Sequence, residues 1–335
     1  MTIYGVDPSA DSFTADTFPP TGATDYPNTP DGLAAFCAAL PDESLVGVEN
    51  TGVYSELLCY ALHHAGVAVM LLDPGAVHRA FPPGPKTDAL DSARIAEYAH
   101  RYADRLARWQ PRAEVVEQVR VLLATPPTTG GWEHLVGQRT AALNARSALR
   151  RKVVQTPGAN AALDAVAAAL REQVGAIEAE LRRLIGAHPS LAQGVSLLVG
   201  IPGVGLLLAS QMVVLTEGFT DVPPARRLAS RLGIAPHPHR SGTSVRRPDR
   251  SRGYGHPAVR KLLHLAARSR RTHDAASRGY FEAKVGAGKA ARLVLNNLSN
   301  RLVAVMCAVL RDGVPYRSDH VSVAPMVLTG HRQSG

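Results

Sequence analysis

The chain has 335 residues, 45% hydrophobic and 5% aromatic, with 37 Lys and Arg against 28 Asp and Glu for a net charge of +9. That length suits two or three modest domains of roughly 100–200 residues each, and the apolar share supports packed cores. Three cysteines, Cys37, Cys59 and Cys307, lack any C-x-x-C spacing, which argues against a disulfide framework or a cysteine zinc site and fits a reducing cytoplasm.

In chain order, MTIYGVDPSA carries neither a basic lead nor a long apolar core, so no signal peptide is expected. TIYGV is a short apolar run, and SFTAD and ATDYP continue it as a meander. PDGLAAFCAAL predicts a helix with Pro30 and Asp31 at its start, SLVGVEN a buried strand, SELLCYALHHAG a helix closed by Gly66, and VAVMLLD a further strand. TDALDSARIAEYAHRYA follows as an amphipathic helix. Alternating strands and helices imply an α/β layer with a mixed or parallel sheet over residues 1–108.

Residues 109–188 read as a helical linker. AEVVEQVRVLLA precedes the breaker PPTTGG at 126–131, then come EHLVGQRTAALNARSALRRKVV and a long helix after TPGAN. In that helix Leu163, Val166, Leu170, Val174, Ile177, Leu181 and Leu184 recur at steps of three and four, the seam of a coiled coil or of an intramolecular antiparallel hairpin. From Leu184 to Thr216 there is no Asp, Glu, Lys or Arg, and about 20 such residues can span a bilayer. Gly200, Pro202, Gly203 and Gly205 cut the run, which predicts two short buried helices joined by a tight turn rather than a membrane span. Residues 189–320 form a second, mostly helical domain with a loop at 236–257, and 321–335 a disordered tail.

Charge is segregated. No Lys or Arg precedes Arg79, against ten Asp and Glu, whereas Arg226 to Arg292 holds seventeen Lys and Arg and three acids. Such asymmetry points to an acidic, metal-using half and a half that meets a polyanion. In the first half Asp7 and Glu49 each end a strand, and Asp88 and Asp91 are three apart on one helix face. Four gathered carboxylates repel without cations; two Mg²⁺ ions about 3.5–4 Å apart would bridge such an all-oxygen set and serve phosphodiester chemistry. Singly, each acid also has a structural reading: Asp7 opening a turn before Pro8, Glu49 in a solvated loop, Asp88 capping a helix after Thr87, and Asp91 favouring the helix dipole.

In the second half Gly203 and Gly205 suit a helix-hairpin-helix whose backbone N–H groups reach a phosphate, and suit a plain buried turn equally. HRSGTSVRRPDRSRGYGHPAVRK sets Ser241 and Ser244 among Arg240, Arg246, Arg247, Arg250 and Arg252, with Arg260 and Lys261 beyond. Guanidinium groups there would neutralise a phosphodiester, and a serine nucleophile needs a base or metal that the loop itself does not supply.

YGVDPSA, YPNTPDGL, GVENTGVYSELLCYALHHAG, KTDALDSARIAEYA, VGIPGVG and LASRLGIAPHPHRSGTSVRR followed by GHPAVRKLLHLAA run in one order over residues 4 to about 315. Together they resemble the DEDD transposases of bacterial insertion sequences, the family numbered one-ten, also called bridge recombinases. The resemblance implies a ribonuclease-H-like (RuvC-like) N-terminal domain with Asp7, Glu49, Asp88 and Asp91 as its acids, a coiled-coil linker, and a C-terminal transposase domain with Ser241 as nucleophile and Ser244 as runner-up. It further implies Mg²⁺-dependent serine attack on DNA, a phosphoserine intermediate, and strand exchange. A structured guide RNA from the element and a site assembled from different subunits of a dimer or tetramer complete the implied picture, with no membrane partner. Two departures are visible: PPTTGG interrupts the helical region, and the basic-glycine signature reads Arg252-Gly253-Tyr254-Gly255-His256. Alternatives are a junction-resolvase-like nuclease using metal-activated water, which the basic serine loop disfavours, and a non-catalytic nucleic-acid scaffold.

Overall fold

The computed structural model describes residues 1–123, 131–241, 245–251 and 255–317, with backbone alone at 238–241 and 245–250. The chain divides into two units, Met1–Arg112 and Ala113–Gly335.

The first unit is a mixed five-stranded sheet with helices. β1 (Ile3–Pro8), β2 (Ser12–Phe18) and β3 (Thr24–Pro27) form an antiparallel meander, with Asp7 opposite Thr14 and Phe13 opposite Tyr26. Thr29 then caps α1 (Pro30–Ala39), its hydroxyl accepting from Gly32 N at 3.3 Å. β4 (Leu45–Glu49) returns parallel to β1, α2 (Val53–His64) crosses over, and β5 (Ala68–Leu72) pairs parallel with β4. The sheet order is β3-β2-β1-β4-β5, so the two strands that end in Asp7 and Glu49 are neighbours near its centre. α3 (Pro74–Ala80), capped by Asp73, is a helix that sequence periodicity does not reveal, because seven residues offer too few repeats. α4 (Asp88–Arg101) starts at Thr87, whose hydroxyl accepts from Leu90 N at 3.2 Å.

Strand alternation sorts the core into two layers. Even-numbered Val6, Val46 and Val48 join Phe13, Leu33, Phe36 and Leu58. Odd-numbered Ile3 and Leu45 join Met70, Leu72, Ile95 and Ala99, which makes this the α4 side. Each fully buried Leu, Ile or Phe contributes about 1.5–3 kcal/mol.

The second unit is helical apart from one hairpin. α5 (Glu114–Leu123) is followed by α6 (Trp132–Leu149) and α7 (Pro157–Gly186). α6 stops before Arg150-Arg151-Lys152-Val153-Val154, which sequence reading carries on as helix; three consecutive cations at its carboxyl end are followed by two β-branched residues. α6 and α7 run antiparallel: Trp132 Nε1 donates to Glu178 Oε1 at 3.1 Å near one end, and Arg146 pairs with Asp164 near the other. Along the α7 seam Leu181 and Leu184 are buried, but Val166 is 50% exposed.

α8 (Pro189–Val199) and α9 (Leu206–Leu215) are the two short apolar helices, joined through Gly203 at φ +88°. α10 (Ala225–Arg231) leads to β6 (Pro236–Ser241) and β7 (Val245–Ser251), an antiparallel pair where sequence composition predicts a loop. Prolines and arginines obscure this hairpin in the sequence; a two-stranded ribbon leaves every strand one free edge, where a proline without N–H is tolerated. α11 (Pro257–His273), α12 (Ala275–Gly286) and α13 (Ala291–Asp312) complete the described chain. Val116, Leu181, Leu198, Met212, Leu263, Leu302 and Met306 share one core, so both ends of the linker segment pack with the C-terminal helices. Among the described residues α13 alone is long and apolar enough to cross a membrane, and its Leu302, Met306 and Cys307 lie in that core. The tail expected at 321–335 lies outside the described residues.

Candidate active site

Two glycines let α4, which carries Asp88 and Asp91, rest on the strands that end in Asp7 and Glu49. Gly5 and Gly47 are register partners on β1 and β4, and both face α4. A Cβ on Gly5 would sit 2.1 Å from Ala96 N and 2.2 Å from Ser92 O, so the helix backbone lies directly on the strand. Side chains alternate along a strand, so Asp7 and Glu49, each two residues further on, share the α4 face. Asp91 precedes Ser92 on the helix held there, and Asp88 opens its first turn. G-x-D and G-x-E at the ends of two apolar runs are the sequence signal for this arrangement, and the glycines are the part sequence reasoning overlooked.

The carboxyls sense one another. Burial raises the Asp7 pKa, as do the charges of Asp91 and Asp88, while a hydrogen bond from Glu49 lowers it. Glu49 is pushed up to about 7, by burial first and then by the Asp7 charge and the shared hydrogen bond, in which Glu49 is the donor. Lys86, two residues before Asp88, lowers both and is a further site residue missed in the sequence. Asp91 also faces Arg94 at 3.6 Å. Among the described residues no three His, Cys, Asp or Glu side chains gather closely enough to hold an ion. The arrangement is therefore a proton-sharing pair with two further acids in electrostatic reach. In chemistry, though not in spacing, the set suits a hard divalent cation: it is all oxygen, and a cation would relieve the same repulsion that Glu49 relieves by keeping its proton.

The candidate residues of the second unit are spread over the β6–β7 hairpin, the turn between α8 and α9, and α11. Ser241 ends β6 and is the register partner of Val245; Arg240 pairs with Arg246, His239 with Arg247, and His237 with Arg250. Ser244 and Arg252 lie outside the described residues. Gly203 packs against α11, where a Cβ would meet Ala266 O at 2.6 Å, whereas Gly205 is exposed at the N-terminus of α9 with no atom within 4 Å of a built Cβ. Arg260 and Lys261 lie in the first turns of α11; the Lys261 ammonium is 3.4 Å from Glu133. His256 caps that helix, and burial lowers its pKa against the opposing pull of Glu133.

Residues 195–282 match the family model described as "Transposase IS116/IS110/IS902 family", and residues 4–154 match a DEDD transposase model described as "Transposase". The insertion element IS110 uncharacterized 43.6 kDa protein of Streptomyces coelicolor is 35% identical over 150 residues, 45% of this chain and 36% of that protein. The insertion element IS900 uncharacterized 42 kDa protein of Mycobacterium paratuberculosis is 30% identical over 149 residues, 44% of this chain and 36% of that protein. A pilin gene-inverting protein of Moraxella lacunata is 22% identical over 276 residues, 80% of each chain. The match thus spans 36% of the length of either insertion-element protein and 80% of the gene-inverting one. Over residues 4–154 and 195–282 the chain is thus similar to insertion-sequence transposases, in the second segment to those of the IS116/IS110/IS902 family.

Proposed function

We propose that the chain is a Mg²⁺-dependent DNA transposase, a site-specific recombinase that cuts and rejoins DNA through Ser241. The observation that carries this reading is the Asp7–Glu49 pair on adjacent parallel strands, with Asp88 and Asp91 on α4 in electrostatic reach. The sheet order β3-β2-β1-β4-β5, antiparallel then parallel, supports a ribonuclease-H-like (RuvC-like) first domain. The name of the Moraxella relative supports rearrangement of DNA as the outcome.

Asp7, Glu49, Asp88 and Asp91 would hold the ions. Two bound Mg²⁺ ions supply charge neutralisation at the phosphate and a lower pKa for an attacking hydroxyl. The Ser241 oxygen forms a bond to phosphorus as the bond from phosphorus to the leaving sugar oxygen breaks; the serine proton departs and the leaving oxygen gains one. A sugar hydroxyl of another strand then attacks the phosphoserine and releases the serine, so the phosphodiester count is unchanged. Arg240, Arg246, Arg247, Arg250 and Arg252 bind the phosphates, Gly203 and Gly205 form a helix-hairpin-helix, and Arg260 and Lys261 extend the contact. Val166, exposed on the α7 seam, suits a coiled-coil contact in a homo-oligomer, and residues 109–188 act as the linker to a serine-bearing domain at 189–320. A structured RNA from the element is the guide, and the protein works in the cytoplasm at the nucleoid.

Purified protein, magnesium and element-end DNA test this on a denaturing gel. A covalent protein–DNA band lost in Ser241→Ala is expected. Cleavage that survives that change supports a nuclease using water, and full activity in both Asp7→Asn and Asp88→Asn supports a scaffold.

A further inference from the structure

A cleft of about 1600 Å³ opens in the second unit between α11, the first turns of α13 and the root of the β6–β7 hairpin. Arg260, His264 and Arg268 recur every four residues along its α11 wall, with Lys261 beside them, and Arg292 stands on the α13 wall. No Asp or Glu is among its described lining residues, so clustered cations set its potential. Arg268 and Arg292 are both exposed, while Lys261 shares its charge with Glu133.

Charge alone does not account for the lining. Leu265 is 50% exposed and Leu293 48% exposed, and they belong to opposite walls. A fitting occupant must therefore offer fixed negative charge and flat apolar surface together. Duplex DNA hides its flat base faces in the stack and meets a wall with sugar, phosphate and base edges. An unpaired strand offers phosphates to the cations and base faces to the leucines. Pro236 and Ser251, register partners at the root of the hairpin, line one end of the cleft. From there β6 runs about 17 Å, at roughly 3.3 Å per residue, to Ser241.

We infer that this cleft holds a short unpaired segment of the DNA substrate beside the serine hairpin. It rests on the DNA-recombining reading above, and the two are separable. Fluorescence anisotropy of the full-length protein compares a fluorescein-labelled unpaired DNA oligonucleotide, the same strand in duplex, and RNA of the same sequence. Tighter binding of unpaired DNA than of duplex is expected. The double change Arg268→Ala and Arg292→Ala is expected to weaken the single strand about tenfold and to flatten its log–log salt slope by about 0.7 for each phosphate left without its arginine. Leu265→Ser with Leu293→Ser is expected to weaken the single strand and leave duplex binding unchanged. All four side chains are exposed, and circular dichroism checks folding; Arg268→Gln and Arg292→Gln made singly replace a double variant that does not fold. The inference is overturned by single-strand affinity unaltered in these variants, by duplex losing as much as single strand, or by RNA binding tighter with the same dependence. Binding as expected with no covalent adduct keeps the cleft and removes the recombinase reading. An adduct together with unaltered strand binding does the reverse.

Discussion

Gly5 stands beside Gly47 in the parallel register of β1 and β4, and α4 rests on both. The contacts differ in kind. At Gly5 a methyl would strike the helix backbone, at 2.1 Å from Ala96 N, while at Gly47 it would meet the Ala99 side chain at 2.8 Å. Gly5→Ala is therefore expected to cost about 3 kcal/mol or more, since α4 must move bodily, and Gly47→Ala about 1–3 kcal/mol. Urea unfolding of the two variants checks the order; equal costs would mean that the helix does not seat on Gly5. Because Asp88 and Asp91 ride on α4, Gly5→Ala should also weaken magnesium binding.

Glu49 holds its proton to about pH 7, chiefly through burial and then through Asp7. A folded-state pKa above the unfolded value means that the folded form binds the proton more tightly. The stability this adds is present below about 4.3, the ordinary glutamate value, and is lost as pH rises through about 7. Mg²⁺ competes with that proton, so its affinity should rise over the same interval. Carboxyl-carbon NMR should give a Glu49 midpoint near 7 that falls in Asp7→Asn without reaching the ordinary range, because burial remains. A parent midpoint in the ordinary range would falsify the shared-proton pair.

Asp274 ends α11 and begins α12. Its carboxylate accepts from Ser277 N at 2.9 Å and faces the buried Arg270 guanidinium at 3.4 Å. Burial opposes its charge, yet these partners prevail and hold its pKa below the usual aspartate value. Its contribution is thus present above the unfolded pKa and lost as pH falls through the lowered one. At neutral pH Asp274→Ala should cost about 2–4 kcal/mol by removing a cap and a buried partner charge, and Asp274→Asn about half as much because asparagine also caps. Thermal melts from pH 7 downward should show the parent converging on the Ala variant.

Gly203 and Gly205 should separate stability from binding. Gly203 combines φ +88° with a close approach to Ala266 O, so Gly203→Ala should cost about 2 kcal/mol or more. Gly205 has ordinary φ and open space around its Cβ position, so Gly205→Ala should change stability by about 1 kcal/mol or less. If backbone N–H groups at the α9 start meet phosphate, Gly205→Ala lowers DNA affinity in a filter-binding assay. Unaltered affinity removes that contact.

Much of the first unit could be read from residues alone. Apolar runs closed by an acid, YGVD and VGVE, mark strand ends, and KTDALD marks a helix start with two acids on one face. The shared site was less legible. Which strands are neighbours is a matter of long-range pairing, and the role of Gly5 exists only once α4 has chosen its resting place. In the second unit the α7 seam was visible but its partner was not, because a period of three and four identifies a buried stripe without naming what covers it. The β6–β7 hairpin escaped entirely, since backbone pairing in a polar ribbon leaves no alternation of apolar residues to find.

Chemistry and composition belonged to the sequence: four acids in a stretch poor in cations, a serine among arginines, and the motif order that marks a transposase family. Adjacency belonged to the tertiary structure. A proton shared between Asp7 and Glu49, a helix seated on a strand, and a cationic cleft with leucines on opposing walls depend on distances of a few ångströms between residues far apart in the chain. Repulsion, burial and contact act through space, and local sequence order carries no record of them.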